Sequence, residues 1–535
     1  MPLEPCTKLE KRGNNMNGAR SLLSSLTQAG VDVCFANPGT SEMHFVAALD
    51  EVPEMRGILA LYEGVATGAA DGYGRVTGRP AAVLLHLGPG LGNGLANLHN
   101  ARRARTPVLA VVGDHATSHV RYDAPLQSDI ESVARTVSTF VRTSAHANDV
   151  GADAIDAVIS AIGPPSGVAT LILPADVSWT EVTEPARPTM PATEATVASP
   201  ETVTAVAKAL RAAREPVILI GGSATAPGAA SRAARCADAV GARLLSETFP
   251  PISTRGAGTP VVERLSYLGE FAAAQLEGAD LIVTVGAAWP ATFFAYPGAR
   301  SDLVPGGASV LSFVGPDSDP EMSLESLCVE VGATGRPSNL QPSGRPEAPS
   351  GDLTTQSFAA AIGTILDEQM IVVDESNTGG IYLAPMTAGC PAHRWMTLTG
   401  GAIGYGLPAA VGAAIGSPES RVLCLESDGS AMYTFQALWT MARENLNITT
   451  VVLSNRSYAI LTMELARVGA TQRGSAAESM LDLDSPELSF VSLANGMGVP
   501  GTRVTTAEEL VSALRASLDA KGPMLIEVML PKGLS

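Results

Sequence analysis

The chain has 535 residues, a formal net charge of −18 and 46% hydrophobic residues. That length predicts three or four domains, each with enough apolar content for its own core. The acidic balance excludes nucleic acid and anionic membrane surfaces as partners, and no apolar run is long enough to span a membrane.

The first 15 residues are polar and charged, without an apolar centre. They read as an extension ahead of a helix that starts near Met16 or Asn17, not as a secretory signal. A strand at 31–35 leads into the loop Asn37-Pro38-Gly39-Thr40-Ser41-Glu42. A second strand, 58–62, runs into Glu63 and a small-residue helix from Gly64 to Tyr73. An acidic residue at that point is stabilised by the helix dipole; Val65, Ala66 and Ala69 give it an apolar surround. A third strand, 81–85, ends at His86 and the predicted loop Leu87-Gly88-Pro89-Gly90-Leu91-Gly92-Asn93. His86 is either a structural strand-end histidine or a proton carrier. Further strands are predicted at 108–112 and 169–173.

Two Pro-rich polar stretches, 183–200 and 334–352, read as linkers. They divide the chain into 16–182, 201–333 and 353–535. In each part short β-branched runs alternate with Ala-rich helical segments, which marks parallel α/β sheets. The expected fold is three successive doubly wound parallel-sheet domains. The middle third offers strands at 217–220, 281–285 and 309–314. Its turn Ile220-Gly221-Gly222-Ser223 lacks the Gly-x-Gly-x-x-Gly spacing of a dinucleotide loop.

The last third offers strands at 371–373, 422–425, 449–453 and 524–528. Three of them end in polar loops, where ligands of open α/β sheets gather. The first loop is Asp374-Glu375-Ser376-Asn377-Thr378, with possible donors at Ser376, Asn377 and Thr378. The others are Glu426-Ser427-Asp428-Gly429-Ser430 and Ser454-Asn455-Arg456-Ser457. An Asp, an Asn and a nearby backbone carbonyl are hard oxygen ligands that suit Mg²⁺ also held by a diphosphate. Gly429 permits close approach to phosphate oxygens, and Ser430 is expected to open a helix whose N–H groups favour an anion. The plainer alternative is a turn Asp and a strand-end Asn that cap helices. The six cysteines are scattered with no Cys-x-x-Cys pair, so buried free thiols in a reducing, cytoplasmic compartment are expected.

The last two loops resemble the metal–diphosphate motif of thiamine diphosphate enzymes. Ser427, Ser454 and Arg456 depart from its usual residues. The Asn-Pro-Gly loop, the strand-end Glu63 and the Gly-Pro-Gly-x-x-Asn turn resemble that family's pyrimidine-binding domain. The nearest branches by pattern are acetolactate synthase and benzoylformate decarboxylase. The resemblance implies pyrimidine-binding, central and diphosphate-binding domains in chain order. It makes Glu63 the catalytic carboxyl on the aminopyrimidine, the Gly401 carbonyl an acceptor from that ring's amino group, and Ile403 the wedge that bends the cofactor. It places Asp428, Asn455 and the Ser457 carbonyl on Mg²⁺, with Gly429, Ser430, Tyr458 and the Ser376–Thr378 loop around the diphosphate.

The same resemblance puts Thr40, His86, Gln127, Phe293, Ile460 and Glu464 at the substrate. Phe293 falls where the decarboxylase carries a second histidine and cannot move a proton, which favours carboligation over simple decarboxylation. By the same resemblance Ile460 narrows the acceptor side and Glu464 is polar where the aromatic decarboxylase has a ring, which favours small 2-oxo acids such as pyruvate. FAD is not expected. A homodimer is the implied minimum, and a homotetramer the expected assembly. The alternatives are a simple 2-oxo acid decarboxylase of the benzoylformate type, and a degenerate thiamine diphosphate-binding regulatory protein.

Overall fold

A computed structural model describes residues 16–183, 195–470 and 474–533. The N-terminal polar stretch, Cys6 and most of the first Pro-rich linker lie outside the described residues.

The β-branched runs build three sheets. The first holds β1 (Val33–Ala36), β2 (Arg56–Leu59), β3 (Ala81–Leu85), β4 (Val108–Asp114), β5 (Phe140–Thr143) and β6 (Val168–Pro174). All are parallel, in the order β2-β1-β3-β4-β6-β5. The middle of the chain supplies β7 (Pro216–Ile220), β8 (Arg243–Ser246), β9 (Ile252–Arg255), β10 (Glu263–Arg264), β11 (Leu281–Val285) and β12 (Ser309–Val314). All but β9 form the second sheet, ordered β10-β8-β7-β11-β12. The third sheet uses β13 (Ile371–Glu375), β14 (His393–Thr397), β15 (Val422–Ser427), β16 (Ile448–Ser454), β17 (Gly501–Val504) and β18 (Met524–Met529). Its order is β17-β18-β16-β15-β13-β14-β9.

The central strands β3, β4, β6, β7, β11 and β16 are buried along almost their whole length. That is why they read as continuous apolar runs and not as alternating ones. The first and third sheets meet through two helices, Glu63–Thr77 and Gly406–Gly416. The second is apolar on all sides and buried from Gly406 to Ile415, as an interior helix must be. A side chain at Gly412 would stand 1.8 Å from the Ala69 carbonyl oxygen, so the two backbones touch only because that position is glycine.

Three features differ from the sequence expectation. The predicted loop 87–93 is instead the start of the helix Leu87–Ala104. Pro89 is tolerated there because the first turn needs no N–H from it. Ser430 lies inside a one-turn helix, Asp428–Ala431, that Ser427 precedes. Strands β5, β8, β9, β10, β14 and β17 carry no continuous apolar run, and β9 pairs antiparallel with β14 at the edge of an otherwise parallel sheet. Among the described residues the cysteines are buried and free, and no helix is long and apolar enough to cross a membrane.

Candidate active site

The C-terminal ends of the first and third sheets carry two groups of polar side chains. On the first sheet, Glu63 is the first residue of its helix and only 9% exposed. Its Oε2 accepts from Asn93 Nδ2 at 3.0 Å. Asn93 comes from the second turn of the neighbouring helix, so the unpredicted start of that helix is what supplies the partner.

His86 ends β3. Its Nδ1 donates to Glu42 Oε2 at 2.8 Å, while Ser41 Oγ donates to Glu42 Oε1 at 2.8 Å. Glu42 is 3% exposed and also accepts from the Gly39 N–H at 2.7 Å. The sequence reading chose Thr40 from this loop, yet Thr40 is exposed and the contacts to His86 come from Glu42 and Ser41. The acidic residue that closes this strand-end loop was the available signal. Gln127 ends a turn closed on Ala124, and its Oε1 is buried with no hydrogen-bond partner.

On the third sheet, β15 and β16 are parallel neighbours, so their C-terminal loops lie side by side. Asp428 is 3% exposed and accepts from the Gly429 N–H at 2.8 Å and the Arg456 N–H at 2.6 Å. Burial pushes its carboxyl up to about 6 against the pull of those N–H groups. Asn455 Oδ1 accepts from the Ser457 N–H at 3.0 Å. The Arg456 side chain reaches toward Asp484 and the Leu530 carbonyl, and its charge offsets only part of what burial does to Asp428. Asn377, from the loop after β13, donates to Ser427 Oγ at 2.8 Å and Ser430 Oγ at 3.0 Å. Ser376 is turned inward onto Asp374, and Thr378 lies in the Asn377–Gly380 turn. The Tyr458 ring edge occupies the place where a side chain on residue 429 would stand.

Above these loops lies the segment 399–406. Gly401 and Gly404 have φ of +74° and +89°, which other residues rarely adopt. The loop is held by Glu375, which accepts from the N–H groups of Gly404, Tyr405 and Gly406 at 2.8, 2.8 and 2.6 Å. Glu375 faces Glu426 across the β13–β15 register. Burial raises both carboxyls, and their proximity raises Glu426 further. The negative charge therefore settles on Glu375, where three N–H donors stabilise it. Arg75, fully buried beside Asp71, reaches the loop from the first sheet's helix; it donates to Tyr405 Oη at 2.9 Å and Thr399 Oγ1 at 2.9 Å. The sequence reading gave no role to Glu375, Asp71 or Arg75.

Phe293 presses on Gly401: a side chain there would lie 2.7 Å from its Cζ. The ring belongs to an aromatic group, with centroids 5.8 Å from Phe249, 5.4 Å from Tyr267 and 5.1 Å from Phe294. Burial and then Glu464 raise the Tyr267 hydroxyl's pKa, so Glu464 closes the same wall from the helix Ala459–Arg467. Ile460 sits on that helix, partly exposed, and Ile403 is half-buried against the main core.

The matching family models describe thiamine pyrophosphate enzymes: the N-terminal TPP-binding domain over residues 16–134, and the C-terminal TPP-binding domain over 381–528. The chain belongs to the thiamine diphosphate-dependent enzyme family, in the branch that contains acetolactate synthases and benzoylformate decarboxylases. It is 58% identical to a Mycobacterium tuberculosis H37Rv protein provisionally described as the acetolactate synthase large subunit IlvX, over 96% of this chain and 99% of that one. It is 29% identical to a benzoylformate decarboxylase of Pseudomonas aeruginosa PAO1, over 94% and 97% of the two chains. Among solved structures, a thiamine diphosphate-dependent 4-hydroxybenzoylformate decarboxylase of Rhodococcus jostii RHA1 superposes with a TM-score of 0.84. That match has 25% identity and covers 97% of this chain and all of the other.

Proposed function

We propose that this chain is a thiamine diphosphate- and Mg²⁺-dependent enzyme that decarboxylates a 2-oxo acid and ligates the acyl unit to a carbonyl acceptor, in the manner of an acetolactate synthase. The observation that carries this reading is the apolar Phe293 ring against Gly401, where a second proton carrier would serve simple protonation. Thiamine diphosphate, when bound, supplies the electron sink that 2-oxo acid decarboxylation requires.

The residues present fit the group. Asp428, the Asn455 amide oxygen and the Ser457 carbonyl are hard oxygen ligands, and Asp428 is a buried carboxyl whose neighbour Arg456 is ion-paired with Asp484. These three would hold Mg²⁺. Gly429, Ser430, Asn377, Thr378, Ser376 and Tyr458 would surround the diphosphate. Glu63 would hold the proton shared with the pyrimidine, the Gly401 carbonyl would accept from its amino group, and Ile403 would support the bend. Thr40, His86, Gln127, Ile460 and Glu464 would line the substrate side.

The divisions 16–182, 201–333 and 353–535 then serve as pyrimidine-binding, central and diphosphate-binding domains. Glu247 takes the Gly222 N–H at 2.7 Å, at the turn a dinucleotide phosphate would approach, which supports a central domain without FAD. Exposed Ile381, Tyr382, Met432 and Tyr433 follow the Asn377 and Asp428 loops, which supports a face covered by a second copy. A homodimer is the smallest unit this reading allows, a homotetramer the assembly proposed, and the cytoplasm the compartment.

A second reading, a simple 2-oxo acid decarboxylase, has its own support in the Glu42-held His86, a group able to deliver a proton. Product analysis separates the two. With thiamine diphosphate, Mg²⁺, and pyruvate or larger 2-oxo acids, ligation gives a 2-hydroxy ketone or 2-hydroxy acid; decarboxylation gives free aldehyde. No CO₂ release and no exchange of the cofactor's C2 proton would instead leave a regulatory binding protein.

A further inference from the structure

The loop proposed to carry the Gly401 carbonyl and the Ile403 wedge is shaped from outside its own sheet. The helix Leu87–Ala104 of the first sheet lays three polar side chains along it. Asn97 Nδ2 donates to the Gly404 carbonyl at 3.2 Å, and His99 Nε2 donates to the Gly400 carbonyl at 3.1 Å. Asn100 meets Ala402 twice: its Oδ1 accepts from the Ala402 N–H at 3.2 Å, and its Nδ2 donates to the Ala402 carbonyl at 2.8 Å. Thr399 Oγ1 closes the loop's start on the Asn100 carbonyl at 2.9 Å.

Ala402 lies between the two residues assigned to the cofactor. Its N–H belongs to the same planar trans peptide as the Gly401 carbonyl, so the two point in opposite directions. A bond that fixes the N–H toward Asn100 therefore fixes the Gly401 oxygen away from it. The Ala402 carbonyl likewise sets the next peptide plane, from which Ile403 projects. Asn100 is fully buried, and its Nδ2 is itself held by Asn97 Oδ1 at 2.9 Å, so its amide cannot turn freely.

We propose that Asn100 is a positioning residue: by pairing with both polar groups of the Ala402 backbone, it aims the Gly401 carbonyl and the Ile403 side chain at the pyrimidine half of the cofactor. This rests on the cofactor reading above. The replacement Asn100→Asp keeps size and the acceptor but loses both N–H donations. Calorimetric titration with thiamine diphosphate and Mg²⁺ is expected to show at least about tenfold weaker binding. The KM for the 2-oxo acid should stay unchanged, and in the cofactor-free protein the Ala402 amide should exchange with solvent faster than in wild type. Should that variant not fold, Asn100→Ser is expected to show the same loss. Equal cofactor affinity and equal amide exchange in a folded variant overturn the proposal alone. A wild-type chain that binds no thiamine diphosphate overturns the cofactor reading, and the proposal with it.

Discussion

Glu42 holds His86 Nδ1 at 2.8 Å, so the ring keeps a proton on that nitrogen and its Nε2 is the edge left for another partner. Glu42→Gln keeps the shape and removes the charge. Turnover should fall about 10-fold to 100-fold. Unchanged turnover would assign Glu42 to the fold alone.

Glu63 is buried at a helix start and, among the described residues, its carboxyl is held by Asn93. Glu63→Gln is expected to leave thiamine diphosphate binding within about threefold and to slow CO₂ release by at least about 10²-fold. Retained turnover removes Glu63 from the chemistry.

Asp428 is the one full negative charge in the proposed metal set. Asp428→Ala should abolish the Mg²⁺ dependence of cofactor binding, read by calorimetry on metal-stripped protein with and without Mg²⁺. Metal-dependent binding that persists points to a different ligand set.

Phe293→His puts a proton carrier against Gly401. The product mixture should shift toward free aldehyde, with total CO₂ release changed less than the ratio. A constant ratio would show that protonation is not decided at this position.

His393 carries a stability prediction independent of the cofactor. Its Nδ1 donates to the Pro391 carbonyl at 2.8 Å, and its Nε2 is buried without a partner. Burial, and after it Arg255, lowers its pKa from 6.5 to about 4. Unfolded chains take up a proton here below about pH 6.5, whereas the folded state stays neutral until about pH 4. Stability is thus fully present above about 6.5 and is lost as pH falls toward 4, by on the order of 3 kcal/mol. Denaturant melts of His393→Gln should show a flatter pH dependence across that window.

Much of this architecture was legible because buried parallel strands write themselves as largely apolar runs, and β3 and β11 begin and end where those runs do. The strands that went unread, such as β10 with both residues exposed and β14 with its His-Arg-Trp-Met-Thr sequence, carry no such run. At the candidate site, Glu63, Asp428 and Asn455 could be picked out as strand-end residues, with their proposed roles coming from the family resemblance. Those that orient them could not. Glu42, Glu375, Arg75 and Asn100 act on groups far along the chain; Arg75 and Tyr405 are 330 residues apart. No local pattern announces a partner that only folding brings near.

The edge strand β9 makes the chain less divisible than its Pro-rich stretches imply. It is drawn from the middle third, yet it completes the sheet that carries the Asp428 loop. The carbonyls just before it, at Pro250 and Pro251, receive hydrogen bonds from Thr397 and Arg75. A chimera that replaced 201–333 with a relative's segment would therefore also exchange one border of the cofactor sheet and two anchors of the Thr399–Tyr405 loop. The middle third is not a cassette, and an engineer who grafts it must carry the loop's supports across with it.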